Sequence, residues 1–172
     1  MGLFMRSLNF SRFVALVSLL LLPSLVFAHG FKLGSLEIGH PWTRATPKGA
    51  EVAGGFLKIT NNGTEDDRLL SISVEGLARV EIHEMKTENG VMSMRPLKDG
   101  LLIPAGATVE LKPGSFHVMM FGLTQPFVEG TMVKGKITFE KAGSAELEFK
   151  VEPVGANPSE QHQHSTTTTT TN

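Results

Sequence analysis

The chain has 172 residues, a length typical of one ordinary domain. It contains no cysteine, which excludes a disulfide scaffold and every metal site built on thiolates, including iron–sulfur, blue-copper and Cys-based zinc sites. Its formal net charge of −1 gives no electrostatic sign of nucleic acid or of an anionic membrane as a partner.

The first 28 residues have the pattern of a secretory signal peptide. Two arginines precede an apolar run over 13–22, which ends at Pro23 and is followed by a cleavage site at Ala28. Because the run is shorter than the roughly 20 residues of a membrane span, we predict cleavage after Ala28 rather than an uncleaved anchor. The mature protein would be periplasmic, with no membrane insertion. It would begin at His29 with 14 basic and 17 acidic residues, a net charge of −3.

After residue 28, short runs of alternating apolar and polar residues are separated by Gly, Pro and Asn. This pattern is typical of an antiparallel β-sandwich or barrel with Greek-key connections. The predicted strands are 56–60, 69–74, 79–86, 91–95, 108–111, 116–121, 133–140 and 146–151.

The strand pattern stops near Pro153, so we predict a β-domain over 29–153 and a flexible tail over 154–172. The tail carries His162 and His164, followed by Ser and six threonines. A flexible His-x-His could bind Cu(II) loosely through nitrogen, or the tail could be a solvated end without a function. The sequence leaves both readings open.

Methionine is concentrated in one part of the mature chain. Five of its six methionines fall between positions 85 and 120. If 79–86 is a strand, His83 and Met85 lie on one face together with Glu81, while the apolar Val80 and Ile82 lie on the other.

The turn signal Asn89-Gly90 predicts a hairpin, for which two registers are plausible. A two-residue loop places Met85 opposite Met94, with His83 on the diagonal. A four-residue loop places His83 opposite Met94 and Met85 opposite Met92. In both registers His83, Met85, Met92 and Met94 share one face of the hairpin.

A second pair of candidate ligands lies in the strand 116–121. His117 and Met119 are two residues apart and share a face, which leaves Phe116, Val118 and Met120 to fill the core. Thioether sulfur is a soft, neutral ligand that suits Cu(I), and neutral imidazole also binds copper. Two such His-x-Met units in one domain favour a Cu(I) site over methionines that only fill a core, which is what methionine more often does.

The spacing of four residues resembles that of the periplasmic PCu(A)C copper chaperones. His83 is followed by Met94 after ten intervening residues, and then by His117 and Met119 after 22 more, one residue longer than the family's gap. The resemblance implies a cupredoxin-like Greek-key β-barrel or sandwich and a Cu(I) ion bound by these four residues. Met85 and Met92 are possible additional ligands.

The same resemblance implies a role without catalysis. A PCu(A)C protein delivers copper to the Cu(A) site in subunit II of cytochrome c oxidase, alongside a Sco-type protein. Three alternatives stay open at this point: an electron-transferring cupredoxin, a copper-dependent oxidase using the His29 amine with His40, and a metal-free β-sandwich. The missing cysteine argues against the first, since blue-copper sites use His₂Cys ligation.

Overall fold

The computed structural model describes residues 30–157, and within that range the chain forms eleven strands and no helix. The strands are β1 (Gly30–Leu33), β2 (Leu36–Arg44), β3 (Val52–Asn61), β4 (Asp67–Val74), β5 (Arg79–Glu88), β6 (Val91–Pro96), β7 (Leu101–Ile103), β8 (Thr108–Leu111), β9 (Phe116–Phe121), β10 (Met132–Phe139) and β11 (Ser144–Glu152). The predicted all-β class is confirmed. The predicted signal peptide, and the tail beyond residue 157, lie outside the described residues.

The strands form one mixed sheet in the order β6-β5-β9-β8-β3-β2-β11-β10-β4-β7, with β9 also paired to β3 and β1 paired to β2. Alternate residues of these strands point inward, and the sheet folds over them to enclose one apolar core. The largest fully buried side chains include Phe149, Ile59, Leu69, Ile103 and Met120. In residues 30–157 there is no helix long and apolar enough to cross a membrane.

All eight predicted strands are present, but three further strands were not predicted. β1 and β7 have four and three residues, too few to show a period. β2 contains Pro41 and a bulge between Gly39 and Trp42, at which His40 adopts a left-handed φ of 48°. The bulge interrupts the alternation that identifies a strand in sequence.

The sheet departs from the predicted antiparallel pairing at two strand pairs. β11 runs parallel to β2, and β8 runs parallel to β9. Both pairings join strands that are not linked by a hairpin, so no turn signal in the sequence predicts whether the two strands run parallel or antiparallel. The parallel β2–β11 pair brings the first long strand beside the last one.

The β5–β6 hairpin adopts the first of the two predicted registers. Its two-residue turn is Asn89-Gly90, with φ angles of 52° and 79°, as a type I′ turn requires. Met85 therefore lies opposite Met94, and Thr87 opposite Met92. All six residues of β6 are exposed, and this strand forms one edge of the sheet.

Candidate metal centre

Two histidines face each other across neighbouring strands on the side of the sheet away from the core. β5 pairs antiparallel with β9 so that His83 lies directly opposite His117. Their ring centroids are 5.9 Å apart. Both residues are buried, with exposed fractions of 9% and 6%, although the apolar core lies behind the opposite face of these strands.

The four residues with the PCu(A)C-like spacing lie on this face of three adjacent strands, β6, β5 and β9. Met94 on β6 is diagonal to His83, because Met85 is its direct partner and His83 pairs with Pro96. Met119 lies two residues from His117 and opposite Glu81. Diagonal neighbours on adjacent strands are separated by roughly 7–8 Å at Cβ, within reach of long side chains. Met94 therefore lies beside His83 and Met119 beside His117, on opposite sides of the histidine pair and four residues apart along the strands.

Exposure increases from the histidines to the hairpin. Both imidazoles are buried, Met85 and Met119 are half-buried, and Met94 is 49% exposed. Behind them, Val118 and Met120 are fully buried in the core, as predicted for the inward residues of this strand. The arrangement is a pair of buried imidazoles with thioether side chains nearer to solvent.

Hydrogen bonds engage one nitrogen of each ring. Nε2 of His83 lies 2.7 Å from Oε2 of Glu81. Nδ1 of His117 lies 2.9 Å from the carbonyl oxygen of Ser115. Nδ1 of His83 is buried and has no hydrogen-bond partner, and it is the one such side-chain nitrogen or oxygen within residues 30–157. A buried nitrogen without a partner is costly unless a ligand completes it.

Three residues beside the histidines were given no role from the sequence. Glu81 bonds to His83, and its other carboxylate oxygen lies 3.9 Å from Arg79. The Arg79 guanidinium lies 3.8 Å from the ring centroid of Phe121, which is 6.2 Å from the His83 ring. Alternation along β5 already placed Glu81 on the face of His83. The packing of Phe121 depends on the pairing of β5 with β9, which the sequence does not report.

The additional candidates differ in position. Met85 is two residues from His83 and opposite Met94, so it lies beside the four-residue cluster. Met92 shares the face but lies opposite Thr87, four residues from the level of His83, or about 13 Å along the strand at 3.3 Å per residue. Met92 is 66% exposed near the hairpin turn and is not brought to the cluster.

The remaining histidines lie away from the cluster or outside the described residues. His29, His162 and His164 lie outside the described residues. His40 is exposed on the β2 bulge. The bulge turns this position outward, whereas the neighbouring Trp42 is buried against Phe56 with ring centroids 4.4 Å apart.

Side chains other than methionine do not make a metal site in the part of the chain that is described. No group of three or more His, Cys, Asp or Glu side chains within residues 30–157 is placed to hold a metal ion. The further donors that lie beside His83 and His117 on this face are the thioether sulfurs of Met85 and Met119. Such a donor set favours Cu(I) over zinc, magnesium or calcium.

The sequence profile of the LpqE-like family, described as "Putative lipoprotein LpqE-like", matches residues 36–151. A relative from Leifsonia xyli subsp. xyli (strain CTCB07), named "Putative lipoprotein Lxx21020", is 28% identical over 137 residues. That alignment covers 79% of this chain and 81% of the relative. The match spans all strands from β2 to β11, so it concerns the whole β-domain.

Two solved structures share the fold of this domain. The copper-bound PCuAC domain from PmoF2 is 25% identical, with a TM-score of 0.63, and covers 73% of this chain and 98% of that domain. The apo PCuAC domain from PmoF1 is 26% identical, with a TM-score of 0.62, and covers 73% of this chain and 99% of that domain. These similarities confirm the predicted cupredoxin-like sandwich, in its PCuAC form.

Proposed function

This chain belongs to the LpqE-like family, and we propose that it is a copper chaperone that binds Cu(I) through His83, Met94, His117 and Met119. The fold it shares with a copper-bound PCuAC domain supports a role in copper handling. In this proposal the protein carries a copper ion and catalyses no reaction.

The observation that carries the proposal is the unpartnered Nδ1 of His83. It is buried beside His117, with the two ring centroids 5.9 Å apart. One ion at about 2 Å from a nitrogen of each ring, a usual imidazole–metal bond length, can span that separation. Met94 and Met119 add the soft donors that select Cu(I).

The exposure of the donors fits a carrier. A chaperone must hold its ion against loss and still release it to an acceptor. Buried imidazoles exclude water from one side of the ion, while Met94, 49% exposed on an edge strand, can be displaced by an incoming ligand. The neutral, thiolate-free donor set also resists the oxidation that would inactivate cysteine ligands outside the cytoplasm.

Export and partners belong to the same proposal. The predicted signal peptide and the lipoprotein names of the relatives favour a protein outside the cytoplasm. This chain has no cysteine to carry a thiol-linked lipid, so we favour release into the periplasm after cleavage at Ala28. By the PCu(A)C resemblance, the acceptor would be the Cu(A) site of cytochrome c oxidase subunit II, with a Sco-type partner.

The C-terminal tail is proposed to bind Cu(II) through His162 and His164. Nε and Nη2 of Arg44 donate hydrogen bonds of 3.0 and 2.9 Å to the carbonyl oxygen of Ala156. The strand registers place Arg44 on the same sheet face as His117 and level with Met119, which is two strands or about 10 Å away. Six residues from Ala156 to His162 can span up to about 20 Å, which is enough to reach the Cu(I) site.

An anaerobic Cu(I) titration against a competing chelator tests the ligand set. Met94→Leu and Met119→Leu should each weaken Cu(I) binding at least tenfold, since each removes a soft donor. Each should also cost less than about 1.5 kcal/mol of stability, because the side-chain volume is nearly kept. Zn(II) should bind feebly to all variants.

Two methionines serve as matched controls for that titration. Met132→Leu replaces an exposed methionine on β10, and Met120→Leu replaces a buried one on β9 that faces the core. Both should leave Cu(I) affinity unchanged. Equal affinity in the Met94, Met119 and control variants would show that the thioethers are packing residues.

The delivery step needs a separate measurement. The Cu(I)-loaded protein is mixed with the metal-free Cu(A) domain of subunit II, with and without a reduced Sco-type protein. Two delivered Cu(I) ions give the colourless reduced centre, so the acceptor is separated and then oxidised by one electron with ferricyanide. Appearance of the purple Cu(A) absorption after that oxidation would support delivery. Retention of all copper by this protein in the presence of excess acceptor would contradict the proposed acceptor and leave the Cu(I) site itself intact.

A further inference from the structure

We propose that Glu81 is a positioning residue for copper, which fixes the tautomer of His83 so that the ion is bound by Nδ1 of His83 and by Nε2 of His117. This inference rests on the proposed Cu(I) site and specifies how its two imidazoles are presented. It assigns a role to a side chain outside the four proposed ligands.

The first step is the chemistry of the two hydrogen-bond partners. An ionised carboxylate only accepts hydrogen bonds, so the 2.7 Å contact with Oε2 of Glu81 requires a proton on Nε2 of His83. A backbone carbonyl also only accepts, so the 2.9 Å contact with Ser115 requires a proton on Nδ1 of His117. The two neutral rings therefore carry their protons on different nitrogens.

The second step is the position of the remaining lone pairs. In the neutral state they lie on Nδ1 of His83 and on Nε2 of His117. The first is buried without a hydrogen-bond partner. A metal ion is a partner that needs a lone pair and no proton, so it fits the one buried nitrogen left open within the described residues.

The third step concerns how Glu81 is itself held. Its Oε1 lies 3.9 Å from Nη1 of Arg79, which leaves Oε2 for the histidine. The guanidinium of Arg79 in turn lies over the ring of Phe121, 3.8 Å from its centroid. Arg79, Glu81 and His83 are alternate residues of one strand. The chain of contacts thus runs from an aromatic ring through a guanidinium and a carboxylate to the proposed ligand.

The carboxylate also balances charge. The four proposed ligands are neutral, so a bound Cu(I) ion would add one uncompensated positive charge in a largely buried place. The negative charge of Glu81, which is shared with Arg79, offsets part of this charge, and its hydrogen bond makes the imidazole a stronger donor. A carboxylate on the outer nitrogen of a metal-bound histidine commonly has this effect, and its removal weakens metal binding by 10- to 100-fold.

Nitrogen-15 NMR of the unmodified, metal-free full chain tests the tautomers directly. Long-range correlations between ring nitrogens and ring carbon-bound protons distinguish the two forms. We expect protonated Nε2 in His83 and protonated Nδ1 in His117. A proton on Nδ1 of His83 would overturn the proposal, whether or not the protein binds copper.

The ligating nitrogen is identified by adding Ag(I), a closed-shell soft ion whose nuclear spin couples to the nitrogen that binds it. We expect coupling to Nδ1 of His83 and to Nε2 of His117. Coupling to Nε2 of His83 would overturn this inference while supporting the proposed site. Absence of coupling to either ring would count against the proposed site as well, so the two failures are distinguishable.

Substitution then separates positioning from folding. Glu81→Ala should weaken Cu(I) binding by about 10- to 100-fold and give His83 a mixture of tautomers. Glu81→Gln keeps an acceptor oxygen at the same length but loses the charge, so it should keep the Nε2–H form of His83 and recover only part of the affinity. If Glu81→Gln bound Cu(I) as weakly as Glu81→Ala, Glu81 would act by its charge alone, and the positioning role would be overturned.

Glu84→Ala is the matched control. Glu84 lies on the same strand and is ion-paired with Arg95 at 2.6 Å, away from either histidine ring. Its removal should leave the tautomers and Cu(I) affinity unchanged. An equal loss in the Glu84 and Glu81 variants would assign the effect to the strand and not to the carboxylate of Glu81, and would overturn the proposal.

Discussion

Two buried polar side chains of this protein, Asp67 and His83, have opposite surroundings. Oδ1 of Asp67 accepts hydrogen bonds from the backbone amides of Arg68 and Lys141, at 2.7 and 2.9 Å. Oδ2 accepts one from the amide of Ala142, at 2.9 Å. His83 has one nitrogen bonded to Glu81 and the other buried with no partner.

The contrast separates a stabilising role from a binding role. Asp67 joins the start of β4 to the loop between β10 and β11, and each of its oxygens is matched to a donor from the folded backbone. A fully matched buried group stabilises the fold. A buried group left unmatched costs stability, so its presence at His83 points to a ligand that completes it.

The largest effect is expected from Asp67→Ala. The substitution leaves three backbone amides of the β4 start and the β10–β11 loop without acceptors, which should cost about 3 kcal/mol in the free energy of unfolding. Cu(I) affinity of the folded protein should not change. Urea denaturation measures the stability, and Asp66→Ala, which removes one exposed bond to Ala105, is the control and should cost under about 1.5 kcal/mol.

His83→Phe should have the reverse effects. It removes a proposed ligand, so Cu(I) affinity should fall more than about 100-fold, beyond the loss expected for an outer partner. It also removes the unmatched nitrogen, so the free energy of unfolding should stay the same or rise by about 1 kcal/mol. Chelator competition and urea denaturation on one sample measure both. A loss of stability like that of Asp67→Ala would show that His83 is a structural residue.

A smaller effect is expected within the hairpin. Met85→Leu should weaken Cu(I) binding by less than tenfold, since Met85 lies beside the cluster but is not one of the four proposed ligands. Met92→Leu should have no effect, because Met92 lies about 13 Å along the strand from the level of His83. Chelator competition under identical conditions compares the pair. A larger loss of Cu(I) affinity in Met92→Leu than in Met85→Leu would indicate that the ion binds nearer the hairpin turn.

Removal of the tail should have the smallest effect on Cu(I). A chain ending at Asn157 keeps the bonds of Arg44 to Ala156 and loses His162 and His164. We expect unchanged Cu(I) affinity and the loss of one weaker Cu(II) equivalent, counted by EPR. The same Cu(II) stoichiometry in the full and shortened chains would leave the tail without a copper role.

The sequence determined the features that depend on neighbouring residues. The alternation around Val80–Met85 and in β9 separates the core face from the face of the proposed ligands, because side chains alternate along a strand whatever its partner is. The turn Asn89-Gly90 indicated the hairpin, since these residues readily adopt the positive φ angles of a type I′ turn. Eight strands, and the proposal of a neutral, thiolate-free donor set, followed from the same local patterns.

The tertiary structure alone decided how distant strands meet. The pairing of β5 with β9 places His83 opposite His117, and no local pattern encodes it, because the partner of a strand depends on packing across the whole sheet. The same applies to the parallel β2–β11 pair and to the bulge that exposes His40. The contact between Glu81 and His83 joins two residues that the sequence placed on one face. Its consequence, a buried nitrogen with no partner, arises only where the pairing with β9 sets His117 and Phe121 beside the ring.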